Sequence, residues 1–245
     1  QLAGDFLGTG KTQVISWFQG GGELSLFSPT GDPRETAGWA TITIASGLKQ
    51  AEGLASGDVD GDGKPDIVGG GRWFKHLGGS RFATYVIDES QTPGRAAIGD
   101  LVKGGRLEMV MVIGDGIGRL KWYECAGAPT RPDAWRAHDL LGIDVQQGHS
   151  LQIVDINADG YLDIFCAEMR QLARGKDNPE SKAWIFYGDG LANFTKTEVA
   201  TGFDFHETKI ADLDGDGRLD IVTKPFVWQT PRLDVWLNQG PVSHV

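Results

Sequence analysis

Asp58-Val59-Asp60-Gly61-Asp62-Gly63-Lys64-Pro65-Asp66 sets carboxylates at the first, third, fifth and ninth positions of a short stretch and a glycine at the sixth. The pattern recurs as Asp155-Ile156-Asn157-Ala158-Asp159-Gly160-Tyr161-Leu162-Asp163 and as Asp212-Leu213-Asp214-Gly215-Asp216-Gly217-Arg218-Leu219-Asp220. Oxygen donors at that spacing, wrapped by a sharp glycine turn, suit a hard divalent cation. Ca2+ takes about six to eight oxygens in a flexible shell, and the seventh position (Lys64, Tyr161, Arg218) adds a backbone carbonyl. Three Ca2+ sites are expected, with Asp58, Asp60, Asp62, Lys64 and Asp66 in one, Asp155, Asn157, Asp159, Tyr161 and Asp163 in the next, and Asp212, Asp214, Asp216, Arg218 and Asp220 in the last. The closing carboxylate comes earlier than in an EF-hand, and β-formers follow it: Ile67-Val68, Ile164-Phe165 and Ile221-Val222. Each loop therefore reads as the turn of a β-hairpin, not as a link between helices.

Two worn copies complete the series. Asp5 to Gln13 and Asp100 to Glu108 keep the first aspartate and the glycine at the sixth position but lack the middle ligands, so calcium is not expected there. First aspartates thus fall at residues 5, 58, 100, 155 and 212, at intervals of about 40 to 60 residues that mark a repeat architecture. Each unit parses as strand A, acidic loop, strand B, strand C and strand D. In the fourth unit these are expected near 149–155, 162–168, 182–188 and 194–200; in the fifth, A, B and C fall near 206–211, 219–224 and 233–237. Val242 to Val245 supplies at most a stub of D. The expected fold is all-β, a β-propeller of four-stranded antiparallel blades, with repeats of about 1–47, 48–90, 91–145, 146–202 and 203–245 in a single domain. A portion of a seven-bladed ring is the alternative, and the abrupt C-terminus fits one domain of a larger assembly.

Composition agrees with this reading. The chain of 245 residues is 40% hydrophobic and holds 36 glycines. Short β-rich runs such as Thr41 to Ile44, Met109 to Ile113 and Trp184 to Tyr187 lie between turn residues. The net charge of −10 is concentrated in the loops, and three divalent cations would bring it to about −4. With no Lys/Arg run and no basic-aromatic stripe, nucleic-acid binding is not expected. No apolar stretch approaches the ~20 residues that span a bilayer. The chain starts at Gln1 rather than Met, as after removal of an upstream segment, and a secreted or periplasmic location is expected. Cys125 and Cys166 are read either as a pair or as two buried thiols. The Asn193-Phe194-Thr195 sequon is read as a chance occurrence.

The acidic loops join A to B, so they share one rim of the expected disk. The opposite rim collects the long connections, Met169 to Lys182, Pro225 to Arg232, Ser46 to Glu52 and Asp139 to Gly148, and function is placed there.

Asp-x-Asp-x-Asp-Gly-x-x-Asp followed by a hydrophobic strand resembles the FG-GAP/VCBS repeats of integrin-type β-propellers, over essentially the whole chain. That resemblance implies the propeller and its calcium; the family includes adhesion heads, lectins and enzyme accessory domains. Gly148-His149-Ser150, Phe165-Cys166-Ala167-Glu168-Met169, Phe205-His206-Glu207 and Lys224-Pro225-Phe226 are similar to the propeller of fungal aldos-2-ulose dehydratases and related bacterial repeat proteins. There the propeller accompanies cupin domains, absent from this chain, and the substrate is a keto-sugar.

His149 and His206 each lie six residues before a loop aspartate, at the start of an A strand. The hairpin returns Glu168 and Lys224 toward them, and Arg95 and Glu52 occupy nearly equivalent starts in the third and second units. Two imidazoles and a carboxylate are enough to hold Zn2+ or a similar divalent metal at His149 and His206. With Glu207 or Glu168 as base and Lys224 or Arg95 steadying an enolate, the group suits proton abstraction beside a carbonyl followed by loss of hydroxyl, a sugar dehydratase (lyase) reaction. Trp228, Glu52 and Arg170 are the candidate substrate contacts, Trp228 as a sugar-stacking platform. The competing reading is a non-catalytic module that binds carbohydrate or protein, with these polar side chains bonding between blades.

Trp17, Trp73, Trp122, Trp184 and Trp236 recur in B or C strands and are read as packing between blades; Trp39 and Trp135 start D strands. His76, His138 and His244 are read as surface or strand residues. Gly8-Thr9-Gly10-Lys11-Thr12 is not a P-loop, because Asp5 stands where its first glycine belongs and a strand follows. Gly114 to Gly118 reads as a hairpin turn.

Overall fold

The computed structural model describes residues 1–170, 176–226 and 232–240. Its strands form five antiparallel sheets, each from strands consecutive in the chain. The first holds β1 (Leu2–Gly4), β2 (Gln13–Trp17), β3 (Gly22–Pro29) and β4 (Trp39–Leu48), and the second β5 (Ala55–Gly57), β6 (Asp66–Gly69), β7 (Arg72–Gly78) and β8 (Arg81–Val86). The third holds β9 (Gly94–Gly99), β10 (Glu108–Ile113), β11 (Ile117–Cys125) and β12 (Trp135–Gln146). The fourth holds β13 (Ser150–Val154), β14 (Asp163–Ala167), β15 (Lys182–Gly188) and β16 (Phe194–Thr201), and the fifth β17 (Glu207–Ala211), β18 (Asp220–Lys224) and β19 (Asp234–Trp236). The protein is all-β, and the acidic loops join the first strand of a sheet to its second. The expected stub at Val242 to Val245 lies outside the described residues, as does His244.

Alternation along the second strand explains how the sheets pack, since successive side chains point to opposite faces. Ile67 and Val68, Met109 and Val110, and Ile164 and Phe165 are all fully buried, one of each pair toward the preceding sheet and one toward the following. Ile15, Leu24 and Leu26 meet Ile67 and Phe74 between the first two sheets. Val68 and Trp73 meet Met109, Tyr123 and Trp135 at the next interface. Val110, Leu120 and Trp122 then meet Ile164, Trp184 and Phe186, and Phe165 and Ile185 meet Phe205, Ile221 and Trp236. The first strands of neighbouring sheets also touch, β9 lying against β5 and β13, and β13 against β17. Burial and the nearby charges of Arg95, Glu207 and Lys209 shift the Gln1 amine, which brings the start of the first sheet beside the fifth.

One expectation is corrected. Ser46 to Glu52 and Asp139 to Gly148 are not wholly irregular: β4 runs on to Leu48 and β12 to Gln146. In β12 the Asp139 carboxylate accepts the amides of Leu141 and Gly142, and Gly142 at φ +70° absorbs the bulge so that pairing resumes beyond it. His76 is a strand residue as expected, within β7, and it is buried; it stacks on Phe82 and its Nε2 meets the Gly79 carbonyl. Of the two readings of the cysteines, the free thiols hold, Cys166 buried and Cys125 half-buried. No helix among the described residues is long and apolar enough to cross a membrane.

Candidate functional site

The acidic loops are built in layers. The first aspartate organises the turn: Asp58 Oδ1 accepts the amides of Gly61 and Asp62 at 2.9 and 3.0 Å, and Oδ2 that of Gly63 at 2.8 Å. Asp155, Asp212 and Asp5 accept equivalent amides in their own loops. The ninth residue clasps the loop to the sheet. Asp66 takes the amides of Val59 and His76, Asp163 those of Ile156 and Gly188, and Asp220 those of Leu213 and Asn238, at 2.7 to 3.2 Å. The worn copies keep the clasp with longer side chains, Gln13 accepting Leu7 and Glu108 accepting Leu101 and Val102.

Between these layers stand the carboxylates at the third and fifth positions. Asp58, Asp60 and Asp62 bring oxygens within 4.8 Å of one another, as do Asp212, Asp214 and Asp216. Asp60 Oδ1 is buried with no hydrogen-bond partner among the described residues. Hard, convergent oxygens with an orphaned buried carboxylate oxygen fit a divalent cation. In the fourth sheet Asn157 replaces one carboxylate, and its amide reaches Asp159 at 2.9 Å.

At the opposite ends of the first strands a second cluster gathers residues from all five sheets or the chain beside them. The imidazole of His149 is buried and bonded at both nitrogens. Arg95 Nη2, which only donates, lies 3.3 Å from Nδ1, so Nε2 carries the proton and donates to Asp115 Oδ1 at 2.9 Å. Arg95 also grips Glu207 through both its terminal nitrogens, at 2.5 and 3.3 Å. His206 stacks on His149 with ring centres 4.8 Å apart and takes the edge of Phe226 at 5.0 Å. Gln19 and Gln50 each donate to both Glu52 and Asp115, at 2.8 to 3.3 Å.

The charges follow from this packing. Burial, then the neighbouring His149, lowers the His206 pKa to about 4, so it is a neutral imidazole at pH 7. Burial alone would raise Glu207, but the Arg95 hydrogen bond and charge outweigh it and hold the carboxyl below its ordinary range. Asp115 behaves likewise: burial is more than offset by His149, Glu52 and Gln50.

Of the expected residues, the structure brings together Glu52, Arg95, His149, His206 and Glu207. Glu168 does not join them: its oxygens accept the amides of Gln146 and Lys182 at 2.7 and 3.0 Å, and burial raises its pKa. Lys224 pairs across the strands with Glu207, and its ammonium donates to the Pro225 carbonyl. Arg170 forks onto Asp177 at 2.6 and 2.8 Å and reaches the Gly202 carbonyl instead of the cluster. Trp228 lies outside the described residues. Gln19, Gln50 and Asp115 went unpredicted. Asp115 sits at the tip of the turn between β10 and β11, and the glycines around it are its only sequence signal. One of them, Gly114, is required by the site, since a Cβ there would fall 2.5 Å from Glu52 Cγ.

Donor atoms of His149, His206 and Glu207 lie within 4.8 Å of one another. They do not fit a metal ion as they stand, because Arg95 already brings positive charge between the imidazole and the carboxylate, and both His149 nitrogens are engaged.

No curated protein matches the chain. A solved structure, Bacillus licheniformis rhamnogalacturonan lyase PL11, is similar at 14% identity and a TM-score of 0.47, over 95% of this chain and 47% of that one. The chain thus spans about half the length of that enzyme. The FG-GAP-like repeat matches residues 5–69 and 155–223, which together make up more than half of the chain and contain all three intact acidic loops. The chain belongs to the FG-GAP-like repeat family.

Proposed function

We propose that residues 1–245 form one five-bladed β-propeller, pinned by calcium along one rim, whose opposite rim acts on a carbohydrate as a keto-sugar dehydratase. Support for the ring is the packing of each sheet on the next, the Gln1 amine beside Glu207 and Lys209, and one polar network drawing on every sheet. The gap between rims is the length of a first strand: β13 has 5 residues, about 16 Å. Calcium held by the acidic loops supplies a structural crosslink. A secreted or periplasmic setting, where calcium is abundant, fits that dependence.

The observation that carries the catalytic reading is the pairing of a neutral, half-buried His206 with an Arg95 guanidinium fixed by Glu207 and His149. His206 takes the proton from the carbon beside the keto group, and the C–H electrons move into an enolate whose oxygen Arg95 stabilises. The enolate then expels the neighbouring hydroxyl, which leaves as water with the proton carried by His206. Asp115 and Glu207 keep His149 and Arg95 in place, and no step needs Glu168. His206→Ala is expected to cut turnover of a keto-sugar by about 100-fold or more while calcium-dependent melting stays unchanged. Equal turnover by variant and wild type overturns the assignment.

A non-catalytic carbohydrate- or protein-binding module is the second reading. It is favoured by Phe18 and Ile117, 72% and 65% exposed at hairpin ends beside Gln19 and Asp115, as apolar contacts at a binding rim are. Saturable sugar binding with no turnover in the wild type decides for it.

A further inference from the structure

We propose that Lys75 is a tethered cation filling the acidic loop of the second sheet, so that this loop is braced without metal and takes up a divalent cation more weakly than the loops of the fourth and fifth sheets. The inference rests on the calcium reading above. Lys75 projects from β7 with its ammonium in contact with Asp60 and 3.0 Å from Asp62 Oδ2. The pair is largely sheltered, with Lys75 and Asp60 side chains 15% and 12% exposed. Lys64 adds a second ammonium, 3.1 Å from Asp62 on the solvent side.

Strand register shows that this placement is peculiar to one repeat. Lys75 follows Phe74, which pairs with Ile67 directly after the clasp Asp66. The same register position is Tyr187 in the fourth sheet, after Phe186 opposite Ile164, and Leu237 in the fifth, after Trp236 opposite Ile221. In the sheets with worn loops it is Ser28 and Glu124. Among the described residues, an amine therefore stands at this register position in the second repeat alone. In the fourth sheet no Lys or Arg pairs with Asp155, Asp159 or Asp163 among the described residues. In the fifth, Arg218 reaches Asp216 from the loop's own seventh position, its side chain 44% exposed and its Nε donated to the Asn238 carbonyl, so it lies along the rim of the loop rather than entering from the third strand.

A divalent cation entering the second loop must either sit beside an ammonium in a sheltered, low-dielectric place or expel it from a formed ion pair. Both cost affinity, because charges interact far more strongly there than in water. The same ammonium removes repulsion between Asp60 and Asp62 when no metal is bound, so the turn stays folded.

Calcium titration calorimetry of the full chain tests this with Lys75→Met, which keeps the unbranched stem of the side chain but lacks its terminal ammonium. The wild type should show two tight sites and one at least ~10-fold weaker, and K75M should bring the third to within ~3-fold of the others. Three equal wild-type sites, or an unchanged K75M titration, overturn the proposal. In excess chelator, K75M should melt below the wild type while Lys75→Arg melts with it; equal melting of all three proteins overturns the metal-free brace. If no loop binds calcium, the calcium reading fails, and the chelator comparison by itself decides what Lys75 does.

Discussion

His206 is where a single side chain ties packing to pH. An exposed histidine titrates near 6.5, whereas burial and His149 bring this one to about 4. Between those values the unfolded chain binds a proton that the folded chain does not. The contribution is therefore complete above pH 6.5 and is lost as pH falls through 4. Because the ring is half exposed, solvent screening limits it to about 1–2 kcal/mol. Urea midpoints from pH 7 to pH 4 should fall more steeply for the wild type than for His206→Gln, and parallel slopes refute the shift. If His206 is also the base, the acid limb of kcat/KM lies near pH 4 to 5 rather than 6.5. The part of this site visible in the sequence is the part written in repeat phase: His149 and His206 stand six residues before a loop aspartate. Gln19, Gln50 and Asp115 have no such phase. They come from turns and connections that the fold happens to aim at one point, and only the folded chain brings them together.

At the scale of the element, the ninth loop position has a duty that does not need metal. In all five repeats this side chain accepts the amide of the loop's second or third residue, and in the three intact repeats also an amide from the third strand or just beyond it. Asp163→Ala would strand the buried amides of Ile156 and Gly188, at a cost of about 2–4 kcal/mol. Urea denaturation in chelator should already show that loss, and Glu108→Ala should show a loss of the same order. A deficit in D163A that exists only with calcium present would make the residue a ligand and nothing more. The spacing rule places the fourth repeat's strands within about two residues of those observed, because acidic turns and β-branched runs are local signals. The same locality explains the misassignment of Glu168. Its sequence position points back toward the histidines, but the bare amides of Gln146 and Lys182, one from β12 and one from β15, claim its carboxylate first.

Across the whole molecule, the five sheets are not joined equally. Trp135 and Trp39 are one device in two repeats: each begins a fourth strand and donates its indole N–H to a proline carbonyl in the preceding turn, Pro129 at 2.9 Å and Pro33 at 3.0 Å. Trp135 is 9% exposed and meets Trp73 of the preceding sheet at 6.4 Å. Trp39 instead lines a cavity of ≈ 460 Å³ with Val14, Phe27 and Pro33. The side of the fifth sheet that corresponds to Trp73 leaves Val235 53% exposed, and Leu237 beside it is 47% exposed. Among the described residues, Trp39 of the first sheet and Val235 of the fifth thus each have an open flank, where Trp135 and Trp73 have none. Sequence reading could not separate the two tryptophans, since Trp39 and Trp135 both start a fourth strand and look alike until their neighbours are known. Truncation separates them. Trp135→Ala removes a filled interface and should cost about 3–5 kcal/mol. Trp39→Ala removes a side chain with one open flank and should cost about 1–2 kcal/mol. Denaturant midpoints of the two variants measure the difference directly, and equal losses would mean that the surroundings of Trp39 are packed as tightly as the interface that Trp135 fills.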